Sequence, residues 1–469
     1  MSTESTADAE TVFRKAQELA KNGEAEEAFR LYMEAAETGH PIAAYMVGQH
    51  YAVGAAVEKN ERESMFWTTY AATDGYVPAK GVVVNRLVRS DGPSDRNIFE
   101  YASGKAEAGS AAGMYIAGMC YDLAIGTDLD DGKAYEMFCR SADAGNLDGA
   151  CQKALCIIRG AGTARDKAAG AAMLKEISSK GNLRASLKYA WCLEHGVGTK
   201  RDPKAAFKIY SELADRKIPV AQYEVGRCYM DGVGVEKDAN MAYSWYLVAQ
   251  TVGCVEADYG MARCLMGGVG VNRNTEEGLK MLMSAAERGS VDAMVMLGQL
   301  YSKGRLVKKD ARKSFEWFKT AADLGNPFAE LTTGDNYSEG NGTSKDASLS
   351  FRYYLRAAVH GSTQGCHMAG SDLISGNGVK RDEEKGFRLC SMAAEDGYMK
   401  SMYIVANCYA HGRGVEKDSE KAFRLHMELA EKGYIKSQLY VGECYYHANG
   451  VGEDYAEARK WFEKGAKEE

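Results

Sequence analysis

Small, bulky and polar residues recur along this chain with a period of 36 residues. The motif that begins at Arg184 returns at Val220, at Glu256 and at every further step of 36 up to Lys436, and it can be followed backwards to Ala112. Self-similarity at a fixed period of this size is the signature of a tandem-repeat protein. The units begin near residues 42, 78, 112, 148, 184, 220, 256, 292, 328, 364, 400 and 436.

Each unit carries the pattern of two helices joined by a turn. Position 7 of the regular units is glycine or alanine and position 10 is large and mostly aromatic, as at Gly226 and Tyr229. This spacing defines one packed stripe of a first helix. A Gly-x-Gly turn, here Gly232 to Gly234, ends that helix, and Asp238 at position 19 caps a second one. One such pair cannot bury its apolar surface alone, so neighbouring units are expected to stack.

The sequence therefore predicts an all-α protein, a right-handed superhelical α/α solenoid of about twelve helix-turn-helix units. We expect residues 1–10 to form a disordered tail, 11–41 an N-terminal half-repeat that caps the array, and 42–469 the solenoid. The unit 78–111 is irregular because Val84 stands where a tiny residue belongs and because two residues are missing. A local distortion is expected there.

The unit 220–255 resembles a Sel1-like repeat, a relative of the tetratricopeptide repeat. The matching residues are Ala221, Gly226, Tyr229, Gly232, Gly234, Val235, Asp238, Ala242, Trp245, Tyr246, Ala249 and Gly253. The resemblance extends over nearly the whole chain, although Lys217 replaces the glycine that usually ends the second helix. It implies an interaction scaffold whose first helices line a concave surface, and it does not specify the partner.

Net charge and hydropathy argue against a nucleic-acid binder and against a secreted or membrane-spanning protein. The net charge of −7 argues against a general nucleic-acid binder, which needs basic residues to neutralise phosphates. The first ten residues lack the basic and apolar parts of a secretory signal. The sequence also contains no run of about 18 apolar residues, the length that a membrane-spanning helix needs. We expect a cytoplasmic protein. The polar C-terminal residues disfavour end-to-end polymerisation, so a monomer is expected.

Cysteine occurs at one repeated position of the unit. Its members are Cys120, Cys156, Cys192, Cys228, Cys264, Cys408 and Cys444. A disulfide in every repeat would need a second column of cysteines, which the sequence lacks. These residues are therefore predicted to be buried free thiols that pack as small hydrophobes.

The candidate binding residues occupy the stripe of the first helix that packing leaves free. In three consecutive units they are Leu187, Trp191, His195, Tyr223, Arg227, Asp231, Tyr259 and Arg263, and a second stretch contains Lys400, Tyr403, Asn407 and His411. Trp191 stands out because the other four tryptophans all occupy position 26. Tryptophan and arginine are enriched in binding hot spots. The alternative interpretation is that Trp191 covers a gap and that the arginines are merely solvated.

No pattern of catalytic or metal-binding residues emerges. His195, His411 and His447 share position 12, but zinc needs three or four convergent ligands, so exposed turn histidines and no cofactor are expected. The sequence offers no pairing of a nucleophile with a base, and we expect no enzyme. A scaffold that binds partner proteins or peptides is the leading hypothesis. The alternatives are a helical-repeat RNA binder and a hydrolase with its site in the groove, but acidic residues interrupt the basic track that RNA requires.

Overall fold

A computed structural model of the chain describes residues 9–73, 93–123 and 125–466. These ranges contain twenty-five helices, nearly all of 13 residues, and no strand. The helices are α1 Ala9–Lys21, α2 Ala25–Glu37, α3 Pro41–Val53, α4 Glu61–Thr73, α5 Pro93–Glu107, α6 Ala111–Leu123, α7 Asp131–Asp143, α8 Leu147–Arg159, α9 Lys167–Ser179, α10 Leu183–His195, α11 Pro203–Asp215, α12 Pro219–Asp231, α13 Ala239–Thr251, α14 Val255–Gly267, α15 Thr275–Glu287, α16 Val291–Lys303, α17 Ala311–Asp323, α18 Pro327–Glu339, α19 Ala347–Val359, α20 Thr363–Ser375, α21 Glu383–Glu395, α22 Met399–His411, α23 Ser419–Glu431, α24 Ile435–His447 and α25 Tyr455–Ala466.

The all-α repeat fold predicted from the sequence is confirmed. Each regular unit contributes one first helix and one second helix, as α12 and α13 do for the unit that begins at Val220. Residues 1–8 of the predicted tail lie outside the described residues, and its last two positions begin α1. Most of the irregular unit, including Val84, also lies outside the described residues.

The chain divides into two compact units, 1–300 and 301–469. In the first unit, every successive pair of helices from α6 to α15 packs together. In the second unit, the same holds for every successive pair from α17 to α25. Packing between consecutive helices is the arrangement expected of stacked repeats.

The tiny residue at position 7 lets the two helices of one repeat cross closely. A Cβ atom built on Gly226 would lie 2.6 Å from Cε1 of Tyr246, a side chain that is fully buried in the second helix of the same repeat. The same construction on Gly118 and on Gly334 brings Cβ to 2.6 Å from an aromatic ring. Real Cβ atoms do not approach other atoms this closely, so glycine is required for this packing.

Acidic and amide side chains begin the second helices as predicted. The residue at position 19 accepts a hydrogen bond from a backbone N–H of the first helical turn in all eleven regular units. These residues are Asn60, Asp130, Asp166, Asp202, Asp238, Asn274, Asp310, Asp346, Asp382, Asp418 and Asp454. Several first helices are capped in the same way by an asparagine or serine that the sequence analysis did not single out, such as Asn182.

The second glycine of the turn contacts the preceding repeat. Gly234 has a φ of +70°, and a Cβ atom on it would lie 2.0 Å from the carbonyl oxygen of Pro203, the first residue of α11. The carbonyl that would be hit at Gly270 belongs to Ala239, and at Gly414 it belongs to Glu383, in each case 31 positions earlier in the chain. The turn therefore fits against the start of the preceding second helix, where a side chain has no room.

All seven cysteines of the repeated column are buried, and all twelve cysteines of the chain are free thiols. Burial raises the pKa of several of them, among them Cys156 and Cys228, to about 12. A thiol with so high a pKa stays protonated at neutral pH and behaves as a small apolar group. The predicted packing role of this column is thus confirmed.

Replacing Gly226 by alanine should destabilise the protein, because the new methyl group collides with the Tyr246 ring. We expect Gly226→Ala to lower the free energy of unfolding by about 2 kcal/mol in urea titrations followed by circular dichroism. Gly104, in the helix α5, serves as the matched control, because among the described residues no atom outside its own helix backbone lies within 4 Å of its ideal Cβ position. Gly104→Ala should raise stability by about 0.5 kcal/mol, since alanine is the better helix former. A similar effect of the two variants would contradict the close crossing.

Candidate functional site

Eight candidate residues belong to the three repeats that begin at residues 184, 220 and 256, referred to here as units 184–263. The structure places them on three successive first helices, α10, α12 and α14. Trp191, His195, Asp231 and Arg263 are exposed, Leu187, Arg227 and Tyr259 are half-buried, and Tyr223 is buried. Some residues of this stripe therefore pack within the protein, and others are open to solvent. We call the exposed side of these three helices the first-helix surface.

Trp191 is 43% exposed, whereas Trp67 is fully buried and Trp461 is 7% exposed. The Trp191 ring lies beside the imidazole of His195, with 4.9 Å between ring centroids and an interplanar angle of 31°. The Nδ1 atom of His195 is 3.0 Å from the backbone oxygen of Trp191, which fixes the imidazole against its own helix. The predicted exposure of Trp191 is confirmed.

Arg227 joins two repeats. Its Nη1 and Nη2 atoms donate hydrogen bonds of 2.8 and 2.6 Å to the carboxylate of Glu194 on α10, and its Nε atom donates one of 2.7 Å to Glu224 on its own helix. The Glu194 side chain is only 7% exposed, so it relies on this guanidinium for neutralisation. Arg227 thus holds α10 against α12, a role that the sequence analysis did not assign to it.

The charges of this cluster are strongly coupled. Burial lowers the pKa of Arg227, but its hydrogen bonds to Glu194 and the charge of Glu224 outweigh burial and raise the pKa. Burial raises the pKa of the Glu224 carboxyl, and Arg227 offsets part of that effect. A bidentate guanidinium–carboxylate pair in this setting fixes geometry as well as charge.

Two of the candidate residues, Tyr223 and Tyr259, pack against neighbouring side chains. The Tyr223 ring is 6% exposed and lies 5.6 Å from the Tyr246 ring, so it is a core residue rather than an open contact. Burial, followed by the charge of Asp292, raises its pKa well above the ordinary value. The guanidinium of Arg263 lies over the Tyr259 ring, 5.6 Å from the centroid, which keeps this cation at the surface.

The sign of charge changes across the first-helix surface. Lys188 on α10 is exposed near Arg184, whose guanidinium lies 5.8 Å from the centroid of the Tyr115 ring. Although Lys188 is exposed, the protein atoms around it partly desolvate its ammonium group, and this desolvation, followed by the charge of Arg184, lowers the pKa of Lys188. On α12 the corresponding surface carries the carboxylates of Glu224 and Asp231. The first helices that carry Trp191 and its neighbours thus present exposed groups of both signs, Lys188 on α10 and Asp231 on α12.

The remaining four candidate residues lie in the unit 301–469, all on α22. Lys400 and His411 are exposed, and Tyr403 and Asn407 are half-buried. Asn407 donates a hydrogen bond of 2.9 Å to the backbone oxygen of Tyr403, and Nδ1 of His411 is 2.8 Å from the backbone oxygen of Asn407. Both polar side chains therefore interact with their own helix, which leaves less of them for a partner.

A buried histidine beneath this helix was not anticipated. His426 is fully buried, and its ring lies 3.9 Å from that of Tyr440 and 5.5 Å from that of Tyr403, centroid to centroid. It occupies the position that tyrosine or phenylalanine fills in several other repeats, such as Tyr246 and Phe318. Burial, and next the charge of His411, lower its pKa from the ordinary 6.5 to about 4.

No group of three or more histidine, cysteine, aspartate or glutamate residues in the described part of the chain is arranged to hold a metal ion. None of the helices in the same part is both long enough and apolar enough to cross a membrane.

Arg227 and Trp191 should differ sharply in their effect on stability. Arg227→Met leaves the buried carboxylate of Glu194 without its bidentate guanidinium partner, and we expect a loss of about 3 kcal/mol in the free energy of unfolding. Trp191→Ala removes an exposed side chain and should cost about 0.5 kcal/mol or less. Urea titrations of the two variants measure both values. A mild effect of Arg227→Met would show that the guanidinium does not hold the two repeats together.

His426 should make the stability of the protein depend on pH. Because its pKa is near 4 in the folded chain and near 6.5 in an unfolded one, the unfolded chain binds the proton first as the pH falls. The contribution of neutral His426 is present above pH 6.5 and is lost towards pH 4, at about 1.4 kcal/mol per pH unit. The variant His426→Phe should lack this loss in urea titrations between pH 7 and pH 4. Identical pH profiles for the two proteins would contradict the buried neutral histidine.

Comparison with known proteins identifies the family. The model of the Sel1 repeat matches ten segments, which are residues 41–76, 111–146, 183–217, 219–249, 255–290, 291–326, 329–362, 364–398, 400–434 and 435–469. No curated protein matches the sequence. The unit 147–182 has the same two helices as its neighbours although the family model does not match it.

Several solved structures are similar to the chain. A protective antigen of uropathogenic Escherichia coli with an SLR fold is 23% identical, over 93% of this chain and 86% of that one, with a TM-score of 0.44. A Sel1 repeat protein from Oxalobacter formigenes is 27% identical, over 52% of this chain and 99% of that one, with a TM-score of 0.41. These low TM-scores support no argument about function. The family model, in contrast, matches well over half of the residues, and the chain therefore belongs to the Sel1 repeat family.

Proposed function

We propose that this chain is a scaffold that binds partner proteins or peptides on the first-helix surface of units 184–263. Sel1 repeats are a family generally used for protein–protein interaction. The observation that carries the proposal is the exposure of Trp191, an aromatic side chain of the type that anchors protein interfaces. Its position on a first helix distinguishes it from the tryptophans of the second helices.

The surroundings of Trp191 support binding because they are held in place before a partner arrives. Arg227 is fixed by Glu194 and Glu224, and Tyr223 is packed in the core. A preorganised surface loses little conformational entropy on association, so more of the contact energy appears as affinity. Arg227 and Tyr223 act in this proposal as supports, while Trp191, His195 and Arg263 are the groups open to contact.

The change of charge across the surface indicates the chemistry of the partner. A segment with an apolar side chain over Trp191 would place an acidic group towards Lys188 and a basic group towards Asp231. Complementary charges of this kind select a partner and its orientation more than they raise affinity. A nucleic acid would meet repulsion at the exposed carboxylate of Asp231, so we propose protein rather than nucleic acid as the ligand.

We further propose that the chain acts as a scaffold rather than an enzyme, and that it works in the cytoplasm. The twelve free cysteines support a reducing compartment, since paired cysteines are the rule in secreted proteins of oxidising environments. A scaffold needs a stable array and an open surface, and both features are present in the unit 1–300.

Affinity purification followed by mass spectrometry tests the proposed surface. Proteins captured by the unaltered chain should be lost with Trp191→Ala and with Lys188→Glu. The control is Tyr455→Ala, which removes an aromatic side chain that is also exposed, at 57%, but lies in the unit 301–469. Tyr455→Ala should retain the partners. If Trp191→Ala retains them as well, the first-helix surface of these units is not the binding site.

A further inference from the structure

The first helices α6 and α8 are covered at a position where the later first helices are open. Ala112 and Asp148 stand at position 1 of their units, and both are fully buried. At the same position, every unit from 184 to 436 has a residue that is exposed or half-buried, such as Asp292 and Lys400. Position 1 belongs to the stripe of the first helix that packing within a repeat leaves free. Residues from outside these two repeats therefore cover it.

The last residue of α2 supplies the contact with α6. The Glu37 carboxylate accepts a hydrogen bond of 2.9 Å from the Ser110 hydroxyl and one of 3.0 Å from the backbone N–H of Ala112. Ser110 also caps α6, because its hydroxyl oxygen accepts a hydrogen bond of 3.0 Å from the backbone N–H of Gly113. The carboxylate thus lies at the N-terminal end of α6, where the helix dipole favours negative charge.

The backbone of the same segment binds the start of α8. The carbonyl oxygen of Glu37 accepts a hydrogen bond of 2.8 Å from the side-chain amide of Asn146. The carbonyl oxygen of Thr38 accepts one of 3.4 Å from the backbone N–H of Leu147. No other backbone hydrogen bond outside the helices joins residues more than ten positions apart in the described part of the chain. Glu37 and Thr38 therefore occupy the N-terminal ends of two first helices, as a bound peptide would.

The helix α4 completes the contact and connects it with α10. The Tyr70 hydroxyl donates a hydrogen bond of 3.0 Å to the buried carboxylate of Asp148, and the Tyr70 ring lies 4.9 Å from that of Tyr115 on α6. Asn182, which precedes α10, donates a hydrogen bond of 2.9 Å to the other oxygen of Asp148. The covered surface is therefore continuous with the start of the helix that carries Trp191.

The chemistry of the contact is that of a reversible one. The four groups that bind Glu37 and Thr38 are a hydroxyl, a side-chain amide and two backbone N–H groups, all of them hydrogen-bond donors. Water can replace such partners at a modest net cost. Contacts between parts of a chain that move relative to each other are also more polar than a core. When exposed, these donors at two helix N-termini form a surface suited to a carboxylate.

We propose that the helices α1–α4 form a detachable cover, which holds Glu37 and Thr38 on α6 and α8 in place of an external ligand. These four helices pack on one another in succession, so they can move together. Once the cover opens, α6 and α8 bind an acidic peptide segment of a partner, whose carboxylate and backbone carbonyl groups replace those of Glu37 and Thr38. The contact is therefore autoinhibitory. This proposal is independent of the partner surface on α10, α12 and α14, which is open in the covered state.

Hydrogen exchange of the Leu147 amide tests whether the cover detaches. Glu37→Lys places a cation at the positive end of α6, although the Leu147 N–H keeps its acceptor, the Thr38 backbone oxygen. If the cover moves as one body, exchange at Leu147 should rise about tenfold or more, while exchange in α12 and α14 stays unchanged. Glu37→Ala, which adds no charge, should act in the same direction by a smaller factor. The matched control is Glu34→Lys, at an exposed position one turn earlier in α2, and it should leave exchange at Leu147 unchanged.

A peptide tests the class of ligand. A synthetic peptide with the sequence of residues 33–41, added at about 1 mM to the Glu37→Lys variant, should restore the protection of the Leu147 amide. The same peptide with Glu37→Gln should protect it about tenfold less, because the amide lacks the charge that a helix N-terminus favours.

Two kinds of result overturn the proposal. If Leu147 stays protected in both Glu37 variants, or if exchange rises alike throughout residues 1–300, the helices α1–α4 are a fixed part of the array. If neither peptide protects Leu147, or if both protect it equally, the surface on α6 and α8 does not select an acidic peptide. Neither result would affect the surface proposed above, since Trp191→Ala and Lys188→Glu test that surface separately.

Discussion

The contact between the second turn glycine and the preceding second helix is the constraint on which the array depends. Gly234 and its equivalents have a left-handed backbone, and a Cβ atom built on them would lie about 2 Å from a carbonyl oxygen of the preceding second helix. A side chain at Gly234 would push the turn away from the neighbouring repeat. Because the same contact, between residues 31 positions apart, recurs in successive repeats, it sets how far each repeat advances on the previous one. Ala56 and Leu306 occupy the equivalent position in two units and keep a positive φ of 60° and 65° without glycine.

The proposed binding surface follows from this stacking. Since the repeats advance in a fixed register, the first helices α10, α12 and α14 present equivalent positions side by side. Arg227 can then reach the buried carboxylate of Glu194 on the neighbouring helix, and the ion pair adds a second link between the same two repeats. Trp191 and Lys188 remain open because nothing in the repeat pattern uses their positions. The open groups thus lie on a framework that the recurring geometry of the repeat holds in place.

Much of this structure could be predicted from the sequence because the signals are local and repeated. The two helices of each unit, the Asp and Asn caps and the exposure of Trp191 all follow from the residue at a given position of the unit. Other features depend on contacts between residues of different repeats, and the pattern within one repeat does not indicate which residues meet. Glu194 gives no sign in the sequence that it is buried, and Tyr223 looks open until the Tyr246 ring is placed against it. The sequence predicts only that the second turn glycine belongs to the turn, because the residue that it contacts lies 31 positions earlier in the chain.

The most direct test of the stacking contact compares the two glycines of one turn. Gly232 and Gly234 have nearly the same φ, +74° and +70°, so alanine costs a similar backbone strain of about 1 kcal/mol at either site. A Cβ atom on Gly232 would lie 3.5 Å from its nearest neighbour, whereas one on Gly234 would lie 2.0 Å from the Pro203 carbonyl oxygen. We predict that Gly234→Ala lowers the free energy of unfolding by about 2 kcal/mol more than Gly232→Ala does in urea titrations. Equal losses for the two variants would contradict the account, because the contact with the preceding repeat would then contribute nothing.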